Sequence, residues 1–444
     1  MNAHTPRIHT EGEQALFDAH TAAFPGGDSV VKAALHKLAD IVPGIAAPVP
    51  ARHEALDVFR RHGLPTRKFE AFHYTDLRAA LRGPYTVADR PADDVAKSAG
   101  AAFPRLVAGA AVLHFRDGHL FDMGETMPEG VTADHSLPDL VGIEPSLNDT
   151  VPLINQAFAR EGATITVPAN ARIDRTIGLA STPTGVVNAI GATRVALDVG
   201  ANACCHVVER SVGPDGLHYM VSSQVDLTIG DGAHVTYTLS IEDGDAAERL
   251  ARLSVRLGTG SKLTLHVLNA GGALVRQELF FVVAGENAAL EIAGVNLIGA
   301  KAHIDLTSRI DHIVPSTTST ELFRNVATEK GRGVFQGQIR VAQAAQLTDA
   351  RMACNTLLLS EGCDFSAKPE LEIFADDVQC AHGATVADIE KEHLFYLRAR
   401  GITEDAARRL LTKAFVAEAF DGVENEQLAE ALSDRIDRWM EAHV

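Results

Sequence analysis

The stretch LEIFADDVQCAHGATV, residues 371–386, carries two acids, a cysteine and a histidine within seven positions. Cys380 and His382 have the i, i+2 spacing that puts two side chains on one face of an extended segment. Thiolate and imidazole are both ligands that transition metals accept in proteins. Asp376 and Asp377 lie where the preceding strand-like alternation breaks. These residues therefore indicate either a metal-related site at the end of a strand or an exposed turn that carries a thiol and an imidazole.

A second cysteine extends this cluster. Cys354 lies 28 residues before His382, which is close to the repeat period described below. Residues one period apart are spatial neighbours in a coiled solenoid, so the spacing predicts that Cys354 and His382 lie close together. The chain has no GxSxG elbow, no HExxH, no CxxC and no Gly-Lys pair of a phosphate-binding loop, so the common hydrolase, zinc and nucleotide motifs are absent.

The elements that would position this cluster are short strands with a repeated pattern. Apolar residues alternate up to a glycine at 195–200, 225–230 and 255–258, with a looser copy that ends at Gly285. The glycines are roughly 27 to 30 residues apart, a period in the solenoid range. The pattern predicts a mainly β fold, a parallel β-helix over residues 164–387. A β-sandwich stays open as the alternative, because alternation alone does not determine topology.

Helical patterns flank the repeat on both sides. Residues 1–80 show the i, i+3, i+4 apolar spacing of helices, and residues 81–163 read as a mixed α/β connecting region that includes a short helix. Residues 388–444 form a C-terminal helical region, in which Gly401 ends one helix and Thr403 caps the next.

Composition excludes several classes of function. A formal net charge of −18 opposes binding to nucleic acid. The sequence contains no apolar run long enough to span a membrane and no apolar signal segment at its start. Five cysteines, an odd number, favour free thiols over a disulfide framework. We therefore expect a cytoplasmic protein.

Several segments resemble the SufB/SufD family of iron–sulfur cluster assembly proteins, and within it the SufD branch. The opening stretch is followed by LFYLRARGI (394–402) and preceded by GQIRVAQAAQLTDA (337–350). Nearer the N-terminus, GLPTRKFEAFHYTDL (63–77) and LINQAFAREGATITV (153–167) are also similar to the family. The resemblance covers most of residues 60–420.

The resemblance implies a right-handed parallel β-helix between N- and C-terminal helical regions. It implies a non-catalytic scaffold subunit that pairs with a SufB-like subunit through the edge of the β-helix and holds iron or a nascent cluster only transiently. His382 would contribute to a site shared by the two subunits, with Cys380 as a weaker neighbour and Cys354 weaker still. No stably bound cofactor is expected.

A second partner is implied for the C-terminal helices. A SufC-like ATPase would dock on the helical region after the β-helix and would bind the ATP itself. The residues expected to take part are Leu394, Phe395, Tyr396, Arg400 and Gly401. Two other functions stay open: a β-helix enzyme that acts on polysaccharide, which the scarcity of aromatic residues disfavours, and a homo-oligomeric structural protein. A homodimer of the chain alone is compatible with each reading.

Overall fold

The structure, a computed structural model, describes residues 49–444 except 82, 102, 104, 122 and 141. The helices predicted before residue 49 lie outside the described residues. The α-helices are α1 (Val49–His62), α2 (Leu77–Ala80), α3 (Asp93–Ala101), α4 (Thr150–Phe158), α5 (Lys391–Arg398), α6 (Glu404–Ala417) and α7 (Glu426–His443). Short 3-10 turns are formed by Glu70–Phe72, Leu147–Asp149 and Glu418–Phe420. Within the described part of the chain, no helix is both long and apolar enough to cross a membrane.

The strands make up most of the ordered secondary structure. The early strands are β1 (Thr86–Val87), β2 (Ala111–Arg116), β3 (His119–Phe121), β4 (Thr132–Asp134), β5 (Glu161–Val167), β6 (Ile177–Thr182), β7 (Ala189–Val199), β8 (Cys204–Val212), β9 (Tyr219–Ile229) and β10 (His234–Glu242). The later ones are β11 (Glu248–Leu257), β12 (Lys262–Asn269), β13 (Leu274–Val283), β14 (Ala289–Ile298), β15 (His303–His312), β16 (Thr318–Ala327), β17 (Arg332–Val341), β18 (Asp349–Leu358), β19 (Asp364–Ile373) and β20 (Gln379–Ala387).

These strands wind into a parallel β-solenoid of about eight turns. Odd-numbered strands from β5 to β19 form one sheet and even-numbered strands from β6 to β20 form the other. Each strand pairs in parallel with the strands one coil before and after it, as β9 does with β7 and β11. The predicted β-helix is confirmed and the β-sandwich alternative is wrong, because a sandwich of hairpins would pair neighbouring strands antiparallel.

The repeated glycines explain why the coils can stack. A Cβ atom on Gly200 would lie 2.5 Å from the backbone nitrogen of Ala169, and one on Gly230 would lie 2.7 Å from that of Ala201. Both distances are far shorter than a van der Waals contact. A side chain at either corner would therefore separate one coil from the coil before it, and glycine is required by close packing of backbone.

Three apolar clusters stabilise the molecule. The largest fills the inside of the solenoid with alternating residues of both sheets. A second lies between the outer face of the first sheet and α1 and α4. A third lies between the outer face of the second sheet and the C-terminal helices, where α7 contributes Leu432, Ile436 and Trp439. Both outer faces are thus partly covered, and the ends of the solenoid are the places where its interior can meet another molecule.

Candidate functional site

The last coil presents apolar side chains and a free sheet edge. β19 and β20 each pair with a strand on one side only. We call these two strands and the turn between them, residues 364–387, the open end. Its exposed large apolar side chains include Ile373 (41%), Phe374 (57%) and Val386 (42%). An unpaired edge beside an exposed apolar patch is a surface on which another chain can dock.

Cys380 and His382 lie on the inward face of this coil. Cys380 is in register with Ala350 and His382 with Met352, and both of these neighbours belong to the solenoid core. The sheet ends at β20, so no strand covers them from above, and His382 is exposed while Cys380 is half-buried. Burial raises the pKa of the Cys380 thiol, a backbone hydrogen bond to Ala350 opposes this, and the carboxylate of Asp349 adds to it.

Cys354 has a different environment. It is fully buried in the core, and Nδ2 of Asn325 donates a hydrogen bond of 3.3 Å to its sulfur. Burial raises the pKa of the thiol to about 12, so the thiol stays protonated at neutral pH. Cys354 is in register with Ala384. The expectation that it lies one coil below His382 is therefore wrong, since the coil here is 30 residues long rather than 28.

The two acids that precede Cys380 form the turn between β19 and β20. The backbone N–H of Asp377 donates to Oε1 of Gln346 at 2.9 Å, and its carbonyl accepts from the N–H of Leu347 at 2.6 Å. Asp376 and Asp377 are both exposed. Their backbones tie this turn to the turn of the coil below, which fixes where β20 begins.

The sequence gave no indication of Glu321, which lies deeper in the same column of side chains. In register, Ile292 is followed by Glu321, then Met352, then His382. The carboxyl group is 1% exposed, and neither of its oxygens has a hydrogen-bond partner among the described residues. Burial raises the pKa of Glu321 to about 7. The only sign of it in the sequence is an acid where the neighbouring coils place apolar residues, and that sign requires the register to be known.

The inward groups do not add up to a complete metal site within this chain. Across the described ranges, no group of three or more His, Cys, Asp or Glu side chains is arranged to hold a metal ion. His382 and Cys380 are thus two donor groups beside an open surface. Further ligands would have to come from another molecule.

The predicted ATPase-docking residues lie on α5 and the turn after it. α5 has no buried residue, and Phe395 (73%) and Tyr396 (56%) are among its exposed side chains. The guanidinium of Arg400 lies 3.5 Å from the centre of the Tyr396 ring. Leu394 is half-buried. Gly401 ends this segment with a φ of 89°, a conformation that favours glycine, and Thr403 begins α6 without a side-chain cap.

Comparison with known proteins relates this arrangement to one family. The profile of the "SUF system FeS cluster assembly, SufBD core domain" matches residues 184–415, which include the later coils, the open end and α5. Iron-sulfur cluster assembly protein SufD of Escherichia coli is 28% identical over 397 residues, covering 87% of this chain and 92% of that protein.

Two further relatives agree. An iron-sulfur cluster assembly SufBD family protein of Synechocystis is 27% identical over 84% of this chain and 87% of its own length. The chloroplastic protein ABCI7 of Arabidopsis thaliana is 30% identical over 52% of this chain and 49% of its own length. The similarity therefore extends beyond the solenoid to most of the chain.

Proposed function

This chain belongs to the SufB/SufD family of SUF-system iron–sulfur cluster assembly proteins, and we propose that it is a non-catalytic scaffold subunit that builds a cluster site jointly with a SufB-like partner. The observation that carries the proposal is the open end: an unpaired sheet edge with exposed apolar side chains and with His382 and Cys380 on its inward face. Iron and the nascent cluster are cargo of this site and are not retained.

Docking at the open end has a clear physical gain. The partner would cover Ile373, Phe374 and Val386, which are exposed in the single chain, and the free backbone groups of β19 and β20 could pair with its strands. Burial of such apolar surface stabilises a complex by about 25 cal/mol per Å² before the costs of association. A homodimer of the chain alone would use the same edge, and it competes with the heterodimer.

The donor atoms suit a transient metal site. Neutral imidazole can ligate iron, and its affinity falls when it is protonated. The Cys380 thiol is half-buried with a raised pKa, so it is mostly protonated until a metal or a cationic partner group lowers that pKa. Cys354 is in the core and its sulfur accepts a hydrogen bond from Asn325, so the proposal rests on His382 first and Cys380 second.

A SufC-like ATPase is proposed to dock on α5 and the following turn. The exposed Phe395 and Tyr396 form an aromatic surface with Arg400 stacked on it, and aromatic and arginine side chains are enriched where interfaces derive their binding energy. α5 follows β20 after three residues. Movement of the docked ATPase would therefore be transmitted directly to the strand that carries His382.

Free thiols support a location in the reducing cytoplasm. All five cysteines are unpaired, as is usual where glutathione and thioredoxin keep thiols reduced. The polysaccharide-enzyme alternative gains no support, because the open end presents apolar side chains and a thiol rather than an aromatic platform beside paired acids. The alternative of a homo-oligomeric structural protein makes a distinct prediction, since it requires no effect of His382 on cluster yield.

The test is co-expression of this chain with its SufB-like and SufC-like partners. We expect His382→Ala to leave the complex assembled, measured by co-purification, and to reduce the iron and sulfide recovered per complex severalfold. His234→Ala is the matched control, because His234 is also exposed on an even-numbered strand but far from the open end. Equal cluster yield from His382→Ala, His234→Ala and wild type would remove His382 from the chemistry.

A further inference from the structure

A pocket on the outer face of the second sheet has no role in cluster assembly as proposed. It has a volume of about 400 Å3 and lies between α3 and the outer faces of β2, β6 and β8. Much of its wall is apolar, with Val112, Leu179 and Val208 among the lining residues. Its volume is in the range of pockets that hold small organic molecules.

A buried guanidinium lies in the wall of this pocket. Arg116 is 2% exposed. Its Nε donates to the carbonyl oxygen of Ala96 at 3.0 Å and Nη1 donates to that of Phe115 at 3.0 Å. Nη2 lies 3.3 Å from Nδ1 of His114. A guanidinium has five N–H donors, so these three contacts leave two donors available.

The charge of Arg116 is not neutralised by an adjacent carboxylate. Burial lowers its pKa to about 10, and the nearest acid, Asp117, opposes this; Arg116 therefore remains cationic at neutral pH. The Asp117 carboxylate accepts hydrogen bonds from the backbone and side chain of Thr184. A buried cation without an ion-pair partner is costly, which is the situation that an anionic ligand would relieve.

The neighbouring side chains keep this cation oriented. Burial lowers the pKa of His114, so its ring is neutral, and Nδ1 can accept from Arg116 while Nε2–H donates to Glu125 at 3.0 Å. Glu125 also pairs with Arg105. A Cβ atom on Gly100 would lie 2.1 Å from Nη2 of Arg116. Glycine is thus needed at this position for the guanidinium to lie where it does.

The other charged groups leave the lining positive overall. Arg210 lines the pocket, and Glu242 accepts its Nε and Nη2 at 2.7 Å each. Arg435 also lies 3.3 Å from Glu242. Lys97 adds a further positive charge at the rim. The lining therefore combines an apolar wall with an excess of cationic groups.

We propose that this pocket binds a small amphipathic organic anion, whose carboxylate or phosphate head contacts Arg116 and whose hydrocarbon or aromatic body packs on the apolar wall. The proposal does not depend on cluster assembly. The wall supplies affinity through burial of apolar surface, and the guanidinium supplies selectivity for an anionic head in a site of low dielectric.

Binding is tested with two fluorescent probes on the full chain. Anilinonaphthalene sulfonate has a fused apolar ring system and one anionic group, and phenylnaphthylamine has the same rings without the anion. We expect saturable binding of the sulfonate at one site and at least tenfold weaker binding of the neutral probe. Octanoate and octyl phosphate, tested in separate arms, should displace the sulfonate and identify the preferred head group, whereas octanol should not.

Three variants locate the site. Arg116→Met should weaken sulfonate binding at least tenfold, Ala180→Phe should weaken it by filling the pocket, and Arg256→Met should leave it unchanged, because Arg256 is exposed on the first sheet. Cooperative thermal unfolding confirms that each variant is folded. Equal binding by Arg116→Met and wild type, or no saturable binding by wild type, would overturn the proposal. If Arg116→Met does not fold, unchanged binding by Ala180→Phe overturns it.

Discussion

The two ends of the solenoid are built differently. At the first coil, β5 is covered by the three-residue strand β4, which runs antiparallel to it, and β6 is covered by β2, which itself pairs antiparallel with the short β3. We call this first coil with β2, β3 and β4 the closed end. Short antiparallel strands are a common way to prevent further strand addition. The open end has no such cover, and its apolar side chains are exposed.

The burial of equivalent residues shows what the difference means. Ile165 in β5 is fully buried, whereas Ile373 in β19 is 41% exposed. Both are isoleucines on the odd-numbered sheet, at opposite ends of it. The closed end therefore contributes to the stability of the chain itself, and the open end can contribute to stability only when another molecule covers it.

The largest expected effect separates the two ends by stability. Ile165→Ala should lower the free energy of unfolding by about 2–5 kcal/mol, because it leaves a cavity in a packed core. Ile373→Ala should lower it by less than about 1 kcal/mol, because much of the side chain already contacts water. Urea unfolding of both variants measures the difference. Equal losses would show that the open end is already covered in the isolated chain.

A second prediction concerns the core directly below the open end. Glu321 has its pKa raised from 4.5 to about 7, so the native state keeps this proton to higher pH than the unfolded chain does. Its stability is complete below about pH 4.5 and is lost as the pH rises through 7. Glu321→Met should abolish this loss, a gain of about 3 kcal/mol at pH 8 relative to pH 4.

The control for this prediction is a glutamate outside the core. Glu286→Met changes an exposed turn residue and should leave the pH dependence of unfolding as in wild type. Chemical denaturation at several pH values gives the comparison. Parallel pH profiles for Glu321→Met and Glu286→Met would mean that Glu321 is hydrated or paired in solution.

The smallest expected effect on stability concerns the helices. α7 packs on the second sheet, whereas α5 has no buried residue. Phe395→Asp should change the free energy of unfolding by no more than about 0.5 kcal/mol and should weaken retention of the SufC-like ATPase in a pull-down. Val187→Asp, which alters a side chain that is 61% exposed elsewhere, is the control. Unchanged ATPase retention in Phe395→Asp would move the docking surface away from α5.

The repeat could be predicted from the sequence because its cause is local. Gly200, Gly230 and Gly258 follow alternating apolar residues at nearly equal spacing, and their stacking in the structure accounts for that spacing. The β-sandwich could not be excluded at that point, because alternation specifies which face of a strand is buried but not which strand is its neighbour.

The inner side of the site could not be predicted in the same way. The spacing of 28 residues aligned Cys354 with His382, but later coils are longer, and Gly337 pairs with Pro369 at a separation of 32. A difference of two residues moves a side chain to the next inward position of the strand. Glu321 was missed for the same reason, since its apolar neighbours Ile292 and Met352 are identified only by the register.

The most direct test of the account measures whether a partner covers the open end. Cys380 is alkylated in the monomeric isolated chain and again in the complex with the SufB-like subunit, with the half-buried Cys204 near the closed end as the internal control. We predict that complex formation slows alkylation of Cys380 at least tenfold and leaves that of Cys204 unchanged. Equal alkylation rates of Cys380 in the two states would contradict the claim that the open end is the partner-binding surface.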